Sequence, residues 1–251
     1  MNMNIIHEDS DLLVIQKPSG VIVNRAGTTK NMVTVQDWAE NYIGIAYRES
    51  HHEYGEIGWT PEEDFYQRGG IVHRLDKETS GVLLVAKTPS AFVSLQKQFR
   101  ERTVKKTYSA LAHGVIPSRD GTIDAPLGRL PWNRTRFGVL SDGREAVTQY
   151  HVVRYYQQGS TIFTFLELYP QSGRTHQIRV HLQHIHHPIF ADELYAGRKT
   201  ARTERKLLQR VFLHASKISF KHPETRKTMT YEAALPQELE DLLTKMAIIE
   251  V

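Results

Sequence analysis

Cysteine is absent from all 251 residues. That removes disulfides, thiolate nucleophiles and every zinc site built on sulfur ligands. The absence accords with a reducing compartment, and a cytoplasmic location is expected. Long hydrophobic runs are also lacking: nothing approaches the ~18 consecutive apolar residues that would cross a bilayer, so no membrane association is expected. The opening MNMNIIHEDS carries two acids and no basic run, and does not read as a secretory signal. Neither sign of charge dominates. Lys and Arg total 32 against 28 Asp and Glu, a net +4, which permits a polyanionic partner without requiring one.

Several familiar chemistries are missing as well. There is no P-loop, no GxGxxG after a strand and no GxSxG elbow. His51-His52-Glu53 contains the H-x-E start of a zinc deaminase signature, but its partner PCxxC needs cysteine. His181, His184, His186 and His187 lack the Glu of an HExxH motif and read as helix-surface and loop histidines rather than metal ligands. No metal and no cofactor is expected.

With no internal repeat, low-complexity tract or Pro/Ser-rich linker, the sequence reads as one continuous domain over residues 1–251. Leu12 to Gln16 (LLVIQ) reads as a buried strand closed by the turn cluster Lys17-Pro18-Ser19-Gly20. Thr34 is placed to cap a helix with Val35, Trp38, Ala39, Tyr42 and Ala46 at helical spacing. From Arg48 to Asp64 the chain carries six acids against one basic residue, and a surface insertion is expected over 48–70. Val82 to Lys87 reads as a strand, followed by an N-cap at Thr88 and proline at the first helical position. Phe92, Leu95 and Phe99 share one face of that helix. Thr107 to Ala112 and Thr161 to Tyr169 are β-rich. Ile178, Leu182 and Ile185 form a helical stripe, and a last helix starts at Pro236 with Leu239, Leu242, Leu243 and Met246 inward. Strands that follow one another directly among the helices indicate an α+β fold on a mixed, largely antiparallel sheet with flanking helices.

Three segments carry the candidate chemistry: Ile71 to Gly81 (IVHRLDKETSG), Lys105 to Gly114 (KKTYSALAHG) and Ser172 to Leu182 (SGRTHQIRVHL). Singly, each has an ordinary explanation. Asp76 suits a turn or a cap, Tyr108 suits a sheet core, and Arg174 and Arg179 suit a solvated helix face.

Together, in this order, the segments resemble the three motifs of the RluA-type pseudouridine synthases, which isomerise uridine in structured RNA. Lys17-Pro18-Ser19-Gly20 is similar to the family's early KPSG. His187-Pro188-Ile189 with Asp192 and Tyr195 is similar to an HPIxGDxxYG-like segment, and Leu213-His214-Ala215 and His222-Pro223 to its late LHA and HP elements. The His before Arg74 points to the RluA rather than the RsuA branch. Gln16, Asn24 and Ala191 stand where Asn, His and Gly are common, departures that bear on loop geometry and RNA choice. The S4 RNA-binding domain common in the family is not seen, so recognition is expected from the catalytic region itself.

The resemblance implies a pseudouridine-synthase fold and a cofactor-independent isomerase that acts on ribosomal or transfer RNA, with monomer as the default state. It implies Asp76 as the carboxylate acting at the sugar carbon, Arg179 as its partner, and Tyr108 stacked on a uracil flipped from the RNA. Arg74 would fill the vacated stack, with His73 and Arg174 also at the RNA. Basic residues between Arg198 and Arg210 (Arg198, Lys199, Arg202, Arg205, Lys206 and Arg210) form one candidate phosphate-binding patch. Arg129, Arg134 and Arg136 with Trp132 form another, and for both a solvated face is the competing explanation. Two alternatives stay open at this point: a catalytically silent RNA-binding or chaperone module of the same fold, and a hydrolase that would release free uracil.

Overall fold

A computed structural model describes residues 3–29, 32–45 and 60–251. In chain order the elements are β1 (Asn4–Glu8), β2 (Leu12–Lys17), α1 (Val35–Ile43), α2 (Pro61–Gln67), β3 (Ser80–Ala86), α3 (Pro89–Arg100), β4 (Lys105–His113) and β5 (Asp120–Asp124). Next come β6 (Leu127–Arg129), β7 (Phe137–Val139), β8 (Val147–Gln158), β9 (Thr161–Pro170), α4 (Gln177–His184) and α5 (Arg198–Glu204). The chain ends with β10 (Leu213–Lys221), β11 (Thr228–Glu232), α6 (Gln237–Thr244) and β12 (Ala247–Ile249). Within the span read from sequence as one continuous domain, the fold has two compact units. The first comprises Met1–Val104 and Lys217–Ala233, the second Lys105–Ser216 and Ala234–Val251.

The first unit is built on β1, β2 and β3, with β11 on the end of β10. β2 and β3 are antiparallel and their residues are almost all buried, which is why both read as unbroken apolar runs rather than alternating ones. Phe92 and Leu95 of α3 pack on Leu12, Val14, Val82 and Leu84. Thr88 caps α3 by accepting from the Ala91 N–H, with Pro89 in the first turn. Thr34 caps α1, as its position indicated, and the structure adds a reciprocal box with Asp37.

The surface insertion expected over 48–70 does not reach its predicted end. Residues 48–59, like Ala46, lie outside the described residues. Residues 60–70 contain α2, whose Phe65 is 2% exposed and meets Phe92 edge-on at 5.8 Å. Asp64, one of the acids that marked the stretch as surface, is buried and accepts from Gln96. Arg68, just past the end of α2, also donates to it at 3.3 Å and supplies the opposite charge. Gly70 then brings the chain alongside β3 in a left-handed turn, φ +74°, where a Cβ would lie 2.1 Å from the Ala86 carbonyl oxygen. Only glycine tolerates both conditions.

The second unit is a meander of β4, β9 and β8, all antiparallel, with β5 and β12 also pairing β8. Its core runs through Leu111, Leu166, Leu168, Ile178, Leu182 and Phe190, closed by Leu239 and Leu242 of α6. The described pairings bear out the largely antiparallel α+β expectation. No helix among the described residues is long and apolar enough to cross a membrane.

Asp9 ties the ends of the first unit together. Its carboxylate accepts from the Asp11 and Leu12 N–H groups and lies 2.9 Å from His7 Nε2 and 3.0 Å from His222 Nε2. His222 Nδ1 accepts from the Glu224 and Thr225 N–H groups, so its proton sits on Nε2 and points at Asp9. Partial burial raises the Asp9 pKa, but these hydrogen bonds outweigh it and the carboxyl falls from 3.8 to about 2. A depressed carboxylate stabilises the fold above its unfolded pKa, and that contribution is lost as pH falls from about 4 toward 2. We expect wild type to lose about 2 kcal/mol more stability than Asp9→Asn over that interval. Parallel urea titrations check this, and identical acid profiles contradict it.

Candidate active site

Asp76 lies in the first unit, in the loop between Ile71 and β3, and is half-buried. The loop is anchored from below by the KPSG turn. Lys17 is fully buried, and its Nζ donates to the carbonyls of Pro18, Val21 and Lys77 at 2.8–3.1 Å. An ammonium taken out of water needs all three protons satisfied, and here they are. The Gly20 N–H also donates to the Lys77 carbonyl, and the Ser19 hydroxyl donates to that of Glu78. The backbone after Asp76 is therefore pinned at two successive residues, while the Thr79 N–H closes a turn onto the Asp76 carbonyl.

Tyr108 and Arg179 belong to the second unit. Tyr108 sits in β4 opposite Leu168 of β9, half-buried against the core. Two residues before it on the same strand face, Lys106 Nζ donates to the Ser172 carbonyl at 3.3 Å. Burial pulls the Lys106 ammonium down to about 8. That bond links the strand carrying Tyr108 to the loop that leads into α4.

The SGRTHQIR segment is a mount for Arg179. Gln177 accepts from the Ser172 hydroxyl and the Arg174 N–H, and donates to Val147 O and Thr148 Oγ1. His176 holds a left-handed conformation at φ +57°, a strain of about 1–2 kcal/mol. It is kept there by the Tyr195 hydroxyl, 2.9 Å from its Nδ1. Arg179 itself is 9% exposed. Its Nε donates to Asp192 Oδ2 at 2.7 Å and its Nη2 to Oδ1 at 2.8 Å. The Tyr195 ring lies beneath the guanidinium, 5.1 Å from centroid to Cζ. Asp192 is fully buried, and its Oδ1 also accepts from the Leu194 and Tyr195 N–H groups. Burial raises the Tyr195 phenol pKa, so it stays protonated.

The Ala191 departure is accommodated. Ala191 takes φ +59°, the region that favours the glycine common in the family. Its N–H donates to Glu204 Oε2 and its carbonyl accepts from Arg205 Nε, each at 2.7 Å.

The expected RNA-contacting residues divide. Arg74 is exposed, as are Arg198, Lys199 and Arg202 on α5, where Arg198 and Arg202 share a face. Arg174 is half-buried and donates to the Glu145 carbonyl. His73 is committed to the fold: its Nε2 accepts from the Leu84 N–H at 2.9 Å and its ring stacks on Phe99 at 4.7 Å. Two members of the 198–210 patch are corrected in the same way. Arg205 clamps Ala191 and Gln209 through their carbonyls, and buried Arg210 serves Val211, Leu213 and Glu238. Nor is His181 a surface histidine. It is fully buried between Thr148 Oγ1 and Ala125 O, and burial lowers its pKa.

The RNA pseudouridylate synthase family model matches residues 11–184, a span that includes Asp76, Tyr108 and Arg179. The chain belongs to this family. It is 38% identical over 255 residues to ribosomal large subunit pseudouridine synthase D of Neisseria meningitidis serogroup B, covering 99% of this chain and 62% of that protein. It therefore spans less than two thirds of that relative. Over 251 residues it is 37% identical to the uncharacterized RNA pseudouridine synthase YlyB of Bacillus subtilis, covering 98% of this chain and 73% of the relative. Its fold matches human RNA pseudouridylate synthase domain containing 1 at a TM-score of 0.71 and 24% identity, over 99% of this chain and 89% of the other.

Asp192, Tyr195, Gln177 and Lys17 are the structural partners that reading the sequence left without a role. The available signal was chemical: Asp192 sits directly after the apolar Ile189-Phe190-Ala191, where a carboxylate is out of place unless a cation meets it. Removing that carboxylate strands a buried guanidinium. We expect Asp192→Ala to lose about 3–5 kcal/mol of stability in chemical denaturation, with Asp192→Asn intermediate. A loss below about 1 kcal/mol, the range of an exposed pair, contradicts the clamp.

Proposed function

We propose that this chain converts a uridine of large-subunit ribosomal RNA to pseudouridine, with Asp76, Tyr108 and Arg179 as the reacting set. The observation that carries the proposal is the family match spanning all three residues, and the ribosomal target follows the name of the Neisseria relative. The N1–C1′ bond breaks, the uracil turns, and C5 bonds to C1′. The C5 proton leaves and N1 gains one, so atoms balance without an external reactant.

The Asp76 carboxylate acts at the sugar as the base departs, either by bonding to it or by taking a proton from it. Arg179 keeps that carboxylate charged and oriented. Support for its role comes from its mounting. Asp192 and Tyr195 fix the guanidinium plane, so no rotamer freedom remains to be lost at the transition state. Tyr108 stacks on the uracil, its hydroxyl assisting C5 proton exchange. The base must leave its stack to be reached; Arg74 takes its place, and Arg198, Lys199 and Arg202 meet phosphates. On this reading the chain works in the cytoplasm, and one copy supplies every residue named.

The test is pseudouridine formation in deproteinised large-subunit RNA from cells lacking the gene. Wild type should convert a defined uridine without added metal, and Asp76→Asn should be slower by at least about a thousandfold. Equal conversion by the two overturns the role of Asp76. Free uracil as the product makes the chain a hydrolase instead.

A further inference from the structure

β6 and β7 form a two-stranded hairpin of the second unit, pairing Leu127 with Val139 and Arg129 with Phe137. Its connection, residues 130–136, is internally fixed. The Leu130 N–H donates to the Arg136 carbonyl, and the Asn133 N–H to that of Leu130. Asn133 Oδ1 accepts from both the N–H and the hydroxyl of Thr135. Arg129 donates to the Arg134 carbonyl while lying over the Phe137 ring.

At the tip stands Trp132, 77% exposed, the highest value of any large apolar side chain among the described residues. No hydrogen bond, ion pair or ring contact involves it among those residues. From Pro126 to Ser141 the sequence has three arginines and no acid. Arg129 and Arg134 are exposed, as is Arg144 beside Leu127. Asp142 and Glu145 lie beyond the hairpin, at its base.

The hairpin is also tied to the mount of Arg179. The Phe137 N–H donates to the Tyr195 hydroxyl at 3.1 Å, and Arg136 lies over the Tyr195 ring at 5.3 Å. Tyr195 is the ring under Arg179. Whatever the tip grips is thus held at a fixed place relative to that guanidinium.

We propose that the 130–136 tip is an RNA-binding device in which Trp132 stacks on one unpaired base while Arg134 and Arg129 meet the flanking phosphates. The proposal rests on RNA being the substrate. An indole face accepts any base, which suits a contact away from the reacting uridine, and the acid-free arginines favour a polyanion over a protein surface. Its rigid loop adds little ordering cost on binding.

The experiment measures Kd of the whole chain for deproteinised large-subunit RNA and for an unstructured oligouridine across a salt series. Trp132→Ala should weaken binding about five- to hundredfold with an unchanged salt slope, since no charge is removed. Trp132→Phe should recover most of the loss. Arg134→Ala should reduce the slope by about one. Trp132→Ala binding within twofold of wild type on both RNAs overturns the proposal. So does a loss that Trp132→Phe fails to repair and that accompanies a lowered melting temperature. Because Asp76→Asn keeps the hairpin intact, it should bind like wild type. A binding defect confined to the Trp132 variants then stands even if Asp76 proves dispensable for activity, and the reverse result separates the two failures.

Discussion

A guanidinium with nine tenths of its surface withdrawn from water is tolerable only when a carboxylate meets it in matched geometry. The Arg179–Asp192 pair meets that condition, and much of the second unit serves it. Asp192 is held by two backbone N–H groups of its own turn. The turn is clamped by Glu204 and Arg205 around a left-handed Ala191. Tyr195 lies under the cation, and it in turn restrains His176 and Phe137. The result is a positive charge whose position is set by the fold rather than by a flexible side chain.

The first unit solves the opposite problem, holding a short loop without regular hydrogen bonding. Backbone groups in a loop lose water as the loop packs and need partners. Lys17 supplies three donors to carbonyls on both sides of the gap, and Ser19 supplies a fourth. The KPSG cluster is thus a turn, as its composition says, and also the floor beneath the residues that follow Asp76. A buried lysine in this position is a structural cation, not a binding one.

Much of this was legible in the sequence where local chemistry determines local structure. Thr34 and Thr88 announce helix starts because few other residues satisfy the free N–H groups there. Leu12 to Gln16 reads as a buried strand because a short apolar run is closed by the turn cluster. Legibility fails where polar residues are buried in pairs. Asp64 made α2 look like surface, His181 read as a helix-surface histidine, and Arg205 and Arg210 looked like phosphate contacts. For His181, Arg205 and Arg210 the partners lie far along the chain or on the backbone, and although Asp64 has Arg68 four residues on, Gln96 reaches it from 32 residues away. Of the candidate site, the three motif residues came from family resemblance. Their mounts emerged only from the fold.

The most direct measurement is a single-turnover assay of tritium release from RNA labelled at uracil C5, comparing wild type with Arg179→Lys. Lysine keeps the charge but cannot form the two parallel bonds to Asp192. A fixed guanidinium predicts that Arg179→Lys folds yet releases tritium at least about a hundredfold more slowly. Release at the wild-type rate by a folded Arg179→Lys protein would show that the orientation of this cation is immaterial to the chemistry.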